Sequence, residues 1–309
     1  MIPYITKSPL LFLIFNRPDV TNIVFQAIRE AQPKQLYIAA DGPRESRVGE
    51  SELCLQAKDI VSKVDWDCDV KMLYRKENLG CKYAVSSGID WFFSHVNEGI
   101  ILEDDCLPSN DFFRFCDEML EKYRNDTRIR FIGGSNFQNN NSPTKESYYF
   151  SNLSHVWGWA SWKRTWDSYD VELKHYTNED FHTIFSNVFG NKLLAADWTE
   201  IVLKLINNQI DTWDYQMSIT NILNNGLSVI PHKNLISNIG FGQNATHTIK
   251  TNGFENLQHQ QLETQIIHPN VMVPARQFDL KTMYVEHNIL KREQRIRKYQ
   301  LIAKLKFWT

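Results

Sequence analysis

The 309-residue sequence is poor in cysteine: it has five, Cys54, Cys68, Cys81, Cys106 and Cys116, an odd number with no Cys-x-x-Cys pair. That spacing supports neither a zinc knuckle nor a disulfide framework and fits a reducing, cytoplasmic setting. No apolar run approaches the roughly 18 residues that a spanning helix requires. Leu10 to Phe15 is far shorter, and Asn16-Arg17-Pro18 follows it instead of a small-residue cleavage site. A soluble protein, or one peripheral at the inner face of the membrane, is expected. Strong net charge is also missing: the formal charge is −2, which gives no overall pull toward nucleic acid. The loop after the first apolar run has neither Gly-x-Gly-x-x-Gly nor Gly-x-x-x-x-Gly-Lys-Ser/Thr, which disfavours dinucleotide-binding and P-loop chemistry.

What is present is ordinary globular composition, 42% hydrophobic and 23% charged, in a chain long enough to bury a core without covalent staples. Short apolar runs alternate with helical patterns: Leu10 to Phe15 then Val20 to Ala31; Leu36 to Ala40 then Glu52 to Val64. Val70 to Tyr74 then Tyr83 to Val96, and Ile100 to Leu102 then Asp111 to Tyr123, continue the rhythm. The runs do not alternate polar with apolar, as befits strands covered on both faces, so a βαβ fold with a mostly parallel sheet is predicted. A further strand, Ile129 to Ile132, ends at Gly133-Gly134-Ser135-Asn136, after which the regular alternation stops and an α+β half is expected.

In such a sheet ligands bind beyond the carboxyl ends of the strands. All four of the first strand ends are polar: Asn16-Arg17-Pro18, Asp41-Gly42-Pro43-Arg44, Asn78-Leu79-Gly80 and Glu103-Asp104-Asp105. The last carries the strongest signal, because three consecutive carboxylates leaving a buried strand repel one another unless a cation or hydrogen-bond donors neutralise them. Oxygen ligands favour Mn²⁺ or Mg²⁺, which keep waters and take substrate phosphates as partners. A solvated acidic turn is the plain alternative. Asn78 and Lys82 flank a predicted helix N-terminus suited to an anion, although helix capping explains Asn and Gly equally well.

Leu102-Glu103-Asp104-Asp105 followed by Asp111-Phe112-Phe113 resembles the Glu-Asp-Asp motif and following helix of the GT-A fold nucleotide-sugar glycosyltransferases, particularly those similar to N-acetylglucosaminyltransferase I. The resemblance extends to Phe15-Asn16-Arg17, Asp41, Trp157-Gly158-Trp159 and the loop Ser237 to Thr248, over most of residues 8 to 250, and includes bacterial hemolysin-like glycosyltransferases. It implies that Asp105 ligates the metal, that Asp104 contacts the nucleotide ribose and that Glu103 reaches the donor sugar. Asn16 and Arg17 would lie at the nucleotide, and Asp41 would meet the uracil edge. It also makes Asp211-Thr212-Trp213-Asp214-Tyr215 the segment supplying a general base, with Asp214 first and Asp211 second; an Asp starting a helix is the bland alternative. His247 would bind the diphosphate or complete the metal shell, or be structural. Trp157 or Trp159 would lie near the acceptor, whereas aromatic residues at such spacing also build core.

The predicted organisation is a GT-A domain over 1–253, with a nucleotide-sugar half (1–136) and an acceptor half (137–253), followed by a C-terminal extension over 254–309. Residues 281–309 carry eight Lys/Arg against two Glu, a net +6 that leaves −8 for the rest. A basic helix there can lie on an anionic membrane surface or pack on the body. The expected activity is a metal-dependent, inverting transfer from a UDP-sugar, such as UDP-N-acetylglucosamine, to a glycan or lipid-linked saccharide, with a retaining course left open. The alternatives are a noncatalytic carbohydrate-binding protein and a metal-dependent nucleotidyltransferase or phosphohydrolase. The missing glycine-rich first loop disfavours the nucleotidyltransferase.

Overall fold

In a computed structural model, residues 3–138, 144–174, 176–241, 254 and 257–306 are described, the side chains of 301–306 excepted. The first half runs β1 (Leu10–Ile14), α1 (Pro18–Ala31), β2 (Gln35–Ala40), α2 (Glu50–Val61), β3 (Asp69–Tyr74), α3 (Gly80–Phe93) and β4 (Glu98–Glu103). There follow β5 (Cys106–Pro108), α4 (Asn110–Tyr123), β6 (Ile129–Gly133), β7 (Tyr148–Ser151), β8 (Trp159–Trp162) and the short α5 (Lys163–Trp166). The remainder is α6 (Asn178–Phe189), α7 (Lys192–Ile206), α8 (Asp214–Leu223), β9 (Leu227–Pro231), β10 (Ile236–Asn238), α9 (Arg276–Glu286) and α10 (Ile289–Lys306).

Eight strands form one sheet in the order β3-β2-β1-β4-β8-β6-β9-β7, in which only β8 and β7 run against the others. The chain is thus an α/β protein with a Rossmann-like, mostly parallel sheet, as the βαβ rhythm predicts. β1 shows why alternation is absent from the sequence. Leu10, Phe12 and Ile14 pack with Val24, Phe25 and Ile28 of α1 and Phe112, Phe115 and Met119 of α4. Leu11 and Leu13 point to the other face, against Ile89, Phe92 and Phe93 of α3. Successive side chains of a strand point to opposite faces, so a strand covered on both must be apolar throughout.

The second half completes the same sheet and adds a helical layer. Phe181, Phe185 and Phe189 of α6, Trp198 and Val202 of α7, Ile219 of α8 and Met283 of α9 share one core. Beyond residue 254, Leu262 and Ile266 join the main core, and Phe278 packs on Tyr149 and Ile230. α10 is anchored at its start by buried Ile289 and by Arg292 paired with Asp197. Further along, Ile296 and Tyr299 are exposed. No described helix is long and apolar enough to cross a membrane.

The strand order reverses between β1 and β4, which are parallel neighbours, with Leu10 opposite Ile100 and Leu13 opposite Glu103. The polypeptide leaving β1 therefore emerges beside that leaving β4. A two-stranded ribbon of β5 and β10, with Cys106 opposite Asn238, lies next to the end of β4.

Candidate functional site

The topological switch between β1 and β4 brings Arg17 onto the carboxylates. Its guanidinium pairs with Asp104 and, at 3.0 Å through Nη1, with Asp105 Oδ2. Asp104 is almost fully buried, and its Oδ2 has no hydrogen-bond partner among the described residues. Burial first, and then Asp105, Asp104 and Asp214, raise the Glu103 carboxyl above its ordinary range, with Arg17 opposing. Burial likewise raises Asp104 against the pull of Arg17. Three carboxyl groups and one guanidinium leave an excess of buried negative charge, which costs several kcal/mol per ion unless it is neutralised, on the order given for desolvated ions.

The ribbon closes one side of this cluster. The Ile239 N–H donates to the Asp105 carbonyl at 2.8 Å, and the Gly240 N–H to Asn238 Oδ1 at 2.9 Å. A methyl group on Gly240 would overlap Asp105 Oδ2 and lie 2.8 Å from Arg17 Nη1, so only glycine lets the backbone approach so closely. The loop Ser237 to Thr248 thus starts at the acids; beyond Phe241 its remainder, His247 included, lies outside the described residues.

From the helical layer α8 presents Asp214 as its first residue, held by the Thr212 hydroxyl. The charge of Asp214 acts on Glu103, Cys81, Tyr169 and Tyr215, so the start of α8 lies in the neighbourhood of the end of β4 and the start of α3. Burial pushes the Cys81 thiol well up, with the surrounding carboxylates adding to the shift, which leaves it a poor nucleophile. Tyr215 is raised to about 12 by burial, then by Asp214 and Glu286.

Several predicted residues are occupied otherwise. Asp211, the second choice for a base, accepts from the Cys81 N–H at 3.0 Å and the Lys82 N–H at 2.9 Å. The anion seat at the start of α3 is therefore filled by the protein's own carboxylate. Gly80 allows it, with φ +75° and an added Cβ only 2.7 Å from Asp211 Oδ2. Lys82 is buried, 3.2 Å from both Glu172 Oε1 and Asn208 Oδ1, and does not face the carboxylate cluster. The segment starts α3 as expected, but the cap comes from Asp211 and not from Asn78 or Lys82.

Asn78 Nδ2 donates to Asp41 Oδ2 at 2.9 Å and to the Gly42 carbonyl at 2.8 Å, while Asp41 also accepts from the Leu79 and Gly42 N–H groups. Asn78 thereby orients Asp41 and ties the end of β2 to the loop before α3. Asn16 donates to Glu50 Oε1 at 2.8 Å, and the same Glu50 accepts from the Arg44 backbone N–H at 2.7 Å and from its guanidinium. Glu50, which the sequence did not single out, thus links Asn16 to Arg44 of the second polar strand end.

Trp159 requires correction as a sugar platform: it is fully buried in β8, stacked on Phe131 at 5.2 Å and on Trp213 at 5.7 Å. The aromatic spacing there builds core. Trp157 is partly exposed, edge-on to Phe137 at 5.0 Å and to Phe241 at 5.7 Å, next to the segment that covers Asp105.

Among the described residues no three His, Cys, Asp or Glu side chains form a ready metal cage. The donor set nonetheless suits a hard divalent cation held by one or two carboxylates plus phosphate and water, because it is all oxygen and one buried carboxylate oxygen is orphaned. A depression of about 720 Å³ lies at the opposite end of the strands, between Lys7 to Pro9, α4 and His268, and contains none of these acids.

The class defined by the sheet is an α/β protein with a Rossmann-like, mostly parallel sheet, and an acidic cluster lies at its switch point. No family model and no curated protein matches the chain. Among solved structures, apo UDP-glucose pyrophosphorylase is similar over 72% of this chain and 90% of its own, at 9% identity and a TM-score of 0.31. A likeness of that score carries no argument about site or activity.

Proposed function

We propose that the protein is a glycosyltransferase that uses a UDP-sugar and a divalent cation, transferring the sugar with inversion to a saccharide or lipid-linked saccharide. The observation that carries this reading is the pairing of Arg17 with Asp104 and Asp105 at the sheet's switch point, next to Glu103, on which the charge of Asp214 also acts. Asp105, with the neighbouring carboxylates, would hold Mn²⁺ or Mg²⁺, which supplies Lewis-acid stabilisation of a departing diphosphate. Arg17 carries a second positive charge at the same place. Asp104 and Glu103 face the ribose and the donor sugar, Asp41 and Asn16 the base side, and Trp157 the acceptor.

Asp214 acts as general base. As the acceptor oxygen bonds the anomeric carbon, its proton passes to the Asp214 carboxylate, and the bond from that carbon to the phosphate oxygen breaks to release the diphosphate. Asp214 opens α8 whereas Asp105 follows β4, and their places on different elements support separate roles for the two. A nucleotidyltransferase or phosphohydrolase would use the same acids but attack phosphorus.

Calorimetric titration with UDP and with GDP, with Mn²⁺ and with chelator, tests the reading. Cation-dependent UDP binding is expected, followed by release of UDP from a UDP-sugar. Absence of binding by either nucleotide under every condition rejects it in favour of a noncatalytic carbohydrate-binding protein.

A further inference from the structure

The basic helix α10 is docked at its start and free beyond it. Ile289 is buried, Arg292 pairs with Asp197 of α7, and Glu293 accepts from Asn191 Nδ2 at 3.3 Å. From Gln294 to Gln300 every residue is exposed. Of the two places the sequence allows this helix, packing on the body therefore accounts for its start alone.

The free part is basic and unpaired. Residues 289–306 carry seven Lys/Arg against one Glu, a net +6. Arg292 is taken up by Asp197, whereas Lys291, Arg295, Arg297 and Lys298 have no ion-pair or hydrogen-bond partner among the described residues. At 3.6 residues per turn, Lys291, Arg295 and Lys298 recur at i, i+4 and i+7 and form a row along one side of α10. Ile296 and Tyr299, three residues apart, border that row and are 41% and 73% exposed. On the far side, Arg297 and Lys192, the first residue of α7, line a groove of about 300 Å³ that extends the positive surface.

The mixture of residues selects the partner. A polyanion such as a nucleic acid would meet the cations and leave Ile296 and Tyr299 in water. A second copy of α10 carries the same charge and is repelled. An anionic lipid surface uses both kinds of side chain. Its headgroup phosphates attract the cations, whose stems lie along the interface, and the boundary between headgroups and acyl chains takes aliphatic and aromatic groups.

We propose that α10 docks on an anionic lipid surface through Lys291, Arg295 and Lys298 together with Ile296 and Tyr299, and so holds the folded body at a membrane. The proposal uses none of the residues of the carboxylate cluster and stands apart from the transferase reading.

Flotation of the full chain with vesicles tests it, using phosphatidylcholine alone and phosphatidylcholine mixed with phosphatidylglycerol. Binding is expected to the mixed vesicles only, and it should weaken as salt is raised. Each cation near such a surface contributes about fivefold in affinity, so Lys291→Gln, Arg295→Gln and Lys298→Gln together should weaken binding about a hundredfold. Ile296→Ser with Tyr299→Ser should weaken binding to the mixed vesicles and leave binding to a DNA duplex unchanged. All five side chains are exposed, so both variants should keep the melting temperature of the parent chain. Equal binding to the two kinds of vesicle, or full retention of binding by the triple variant, overturns the proposal. Tighter binding to the duplex than to the mixed vesicles overturns it in favour of a polyanion. Absence of vesicle binding at low salt overturns it too, and self-association lost in the triple variant would then make a second copy the occupant. None of these readouts depends on UDP turnover.

Discussion

Replacing Arg17 by methionine isolates the electrostatics of the carboxylate cluster. Arg17 is the cation paired with both Asp104 and Asp105, and its aliphatic stem is largely preserved in methionine. At the 3.0 Å that separates Nη1 from Asp105 Oδ2, two unit charges in an effective dielectric of about 20 interact by about 5 kcal/mol. Desolvation of the guanidinium offsets part of this. Removing one partner of such a pair costs about 3–5 kcal/mol, because the carboxylates stay buried without compensation. Against a total stability on the order of 5–15 kcal/mol, that loss is large. Urea unfolding at pH 8 without divalent cation should show it in full. At pH 5 protonation of the carboxyl groups should recover part of it, and Mn²⁺ should recover part at pH 8 by replacing the missing charge. A loss under about 1 kcal/mol, or one unmoved by both pH and Mn²⁺, would refute an electrostatic origin.

Asp105→Ala should fold and lose cation-dependent UDP binding by calorimetry; unchanged affinity in a folded variant removes Asp105 from the metal. Asp214→Asn should keep UDP binding and lose about 10²- to 10⁴-fold in transfer rate, so normal turnover places the base elsewhere. Gly80→Ala should destabilise by about 1–2 kcal/mol, the cost of a side chain in the left-handed region, plus the overlap with Asp211; urea midpoints measure it, and a neutral result contradicts the capped start of α3. Finally, Glu286 at about 8 and Asp279 at about 6, both raised mainly by burial, are protonated in the fold at pH values where the unfolded chain is ionised. Their stabilising contribution is complete below the ordinary carboxylate range and is lost as pH rises through these values, so the cation-free melting temperature should fall between pH 5 and pH 8. A melting temperature that rises over that window contradicts the assignment.

β1, β2 and β4 were legible because they are buried on both faces, and they fall within two residues of the apolar runs that predict them; β3, at the sheet edge, is only partly buried. The acidic cluster was legible for the same reason, since Glu103-Asp104-Asp105 interrupts a run that is otherwise wholly apolar. Local chemistry sufficed there. It did not suffice for Trp159 or Lys82: an aromatic or a lysine reads alike in sequence whether its side chain faces a cleft or a core, and only packing on Phe131 and Trp213, or pairing with Glu172, distinguishes the two.

The partners of the site were settled by tertiary structure alone. Glu286 comes from a segment whose sequence signal is its excess of Lys and Arg, and the glutamate itself has no motif around it. Its neighbour His287 and Tyr215, the neighbour of Asp214, both pack on Trp198 of α7. In the same way, the sequence placed Arg17 and Asp105 at the ends of two separate strands, and parallel pairing of β1 with β4 made them an ion pair. Periodicity and residue type determine which elements form and which charges a strand end carries; the sheet order determines which of those charges meet, because contacts between elements distant in sequence arise only from how the layers pack.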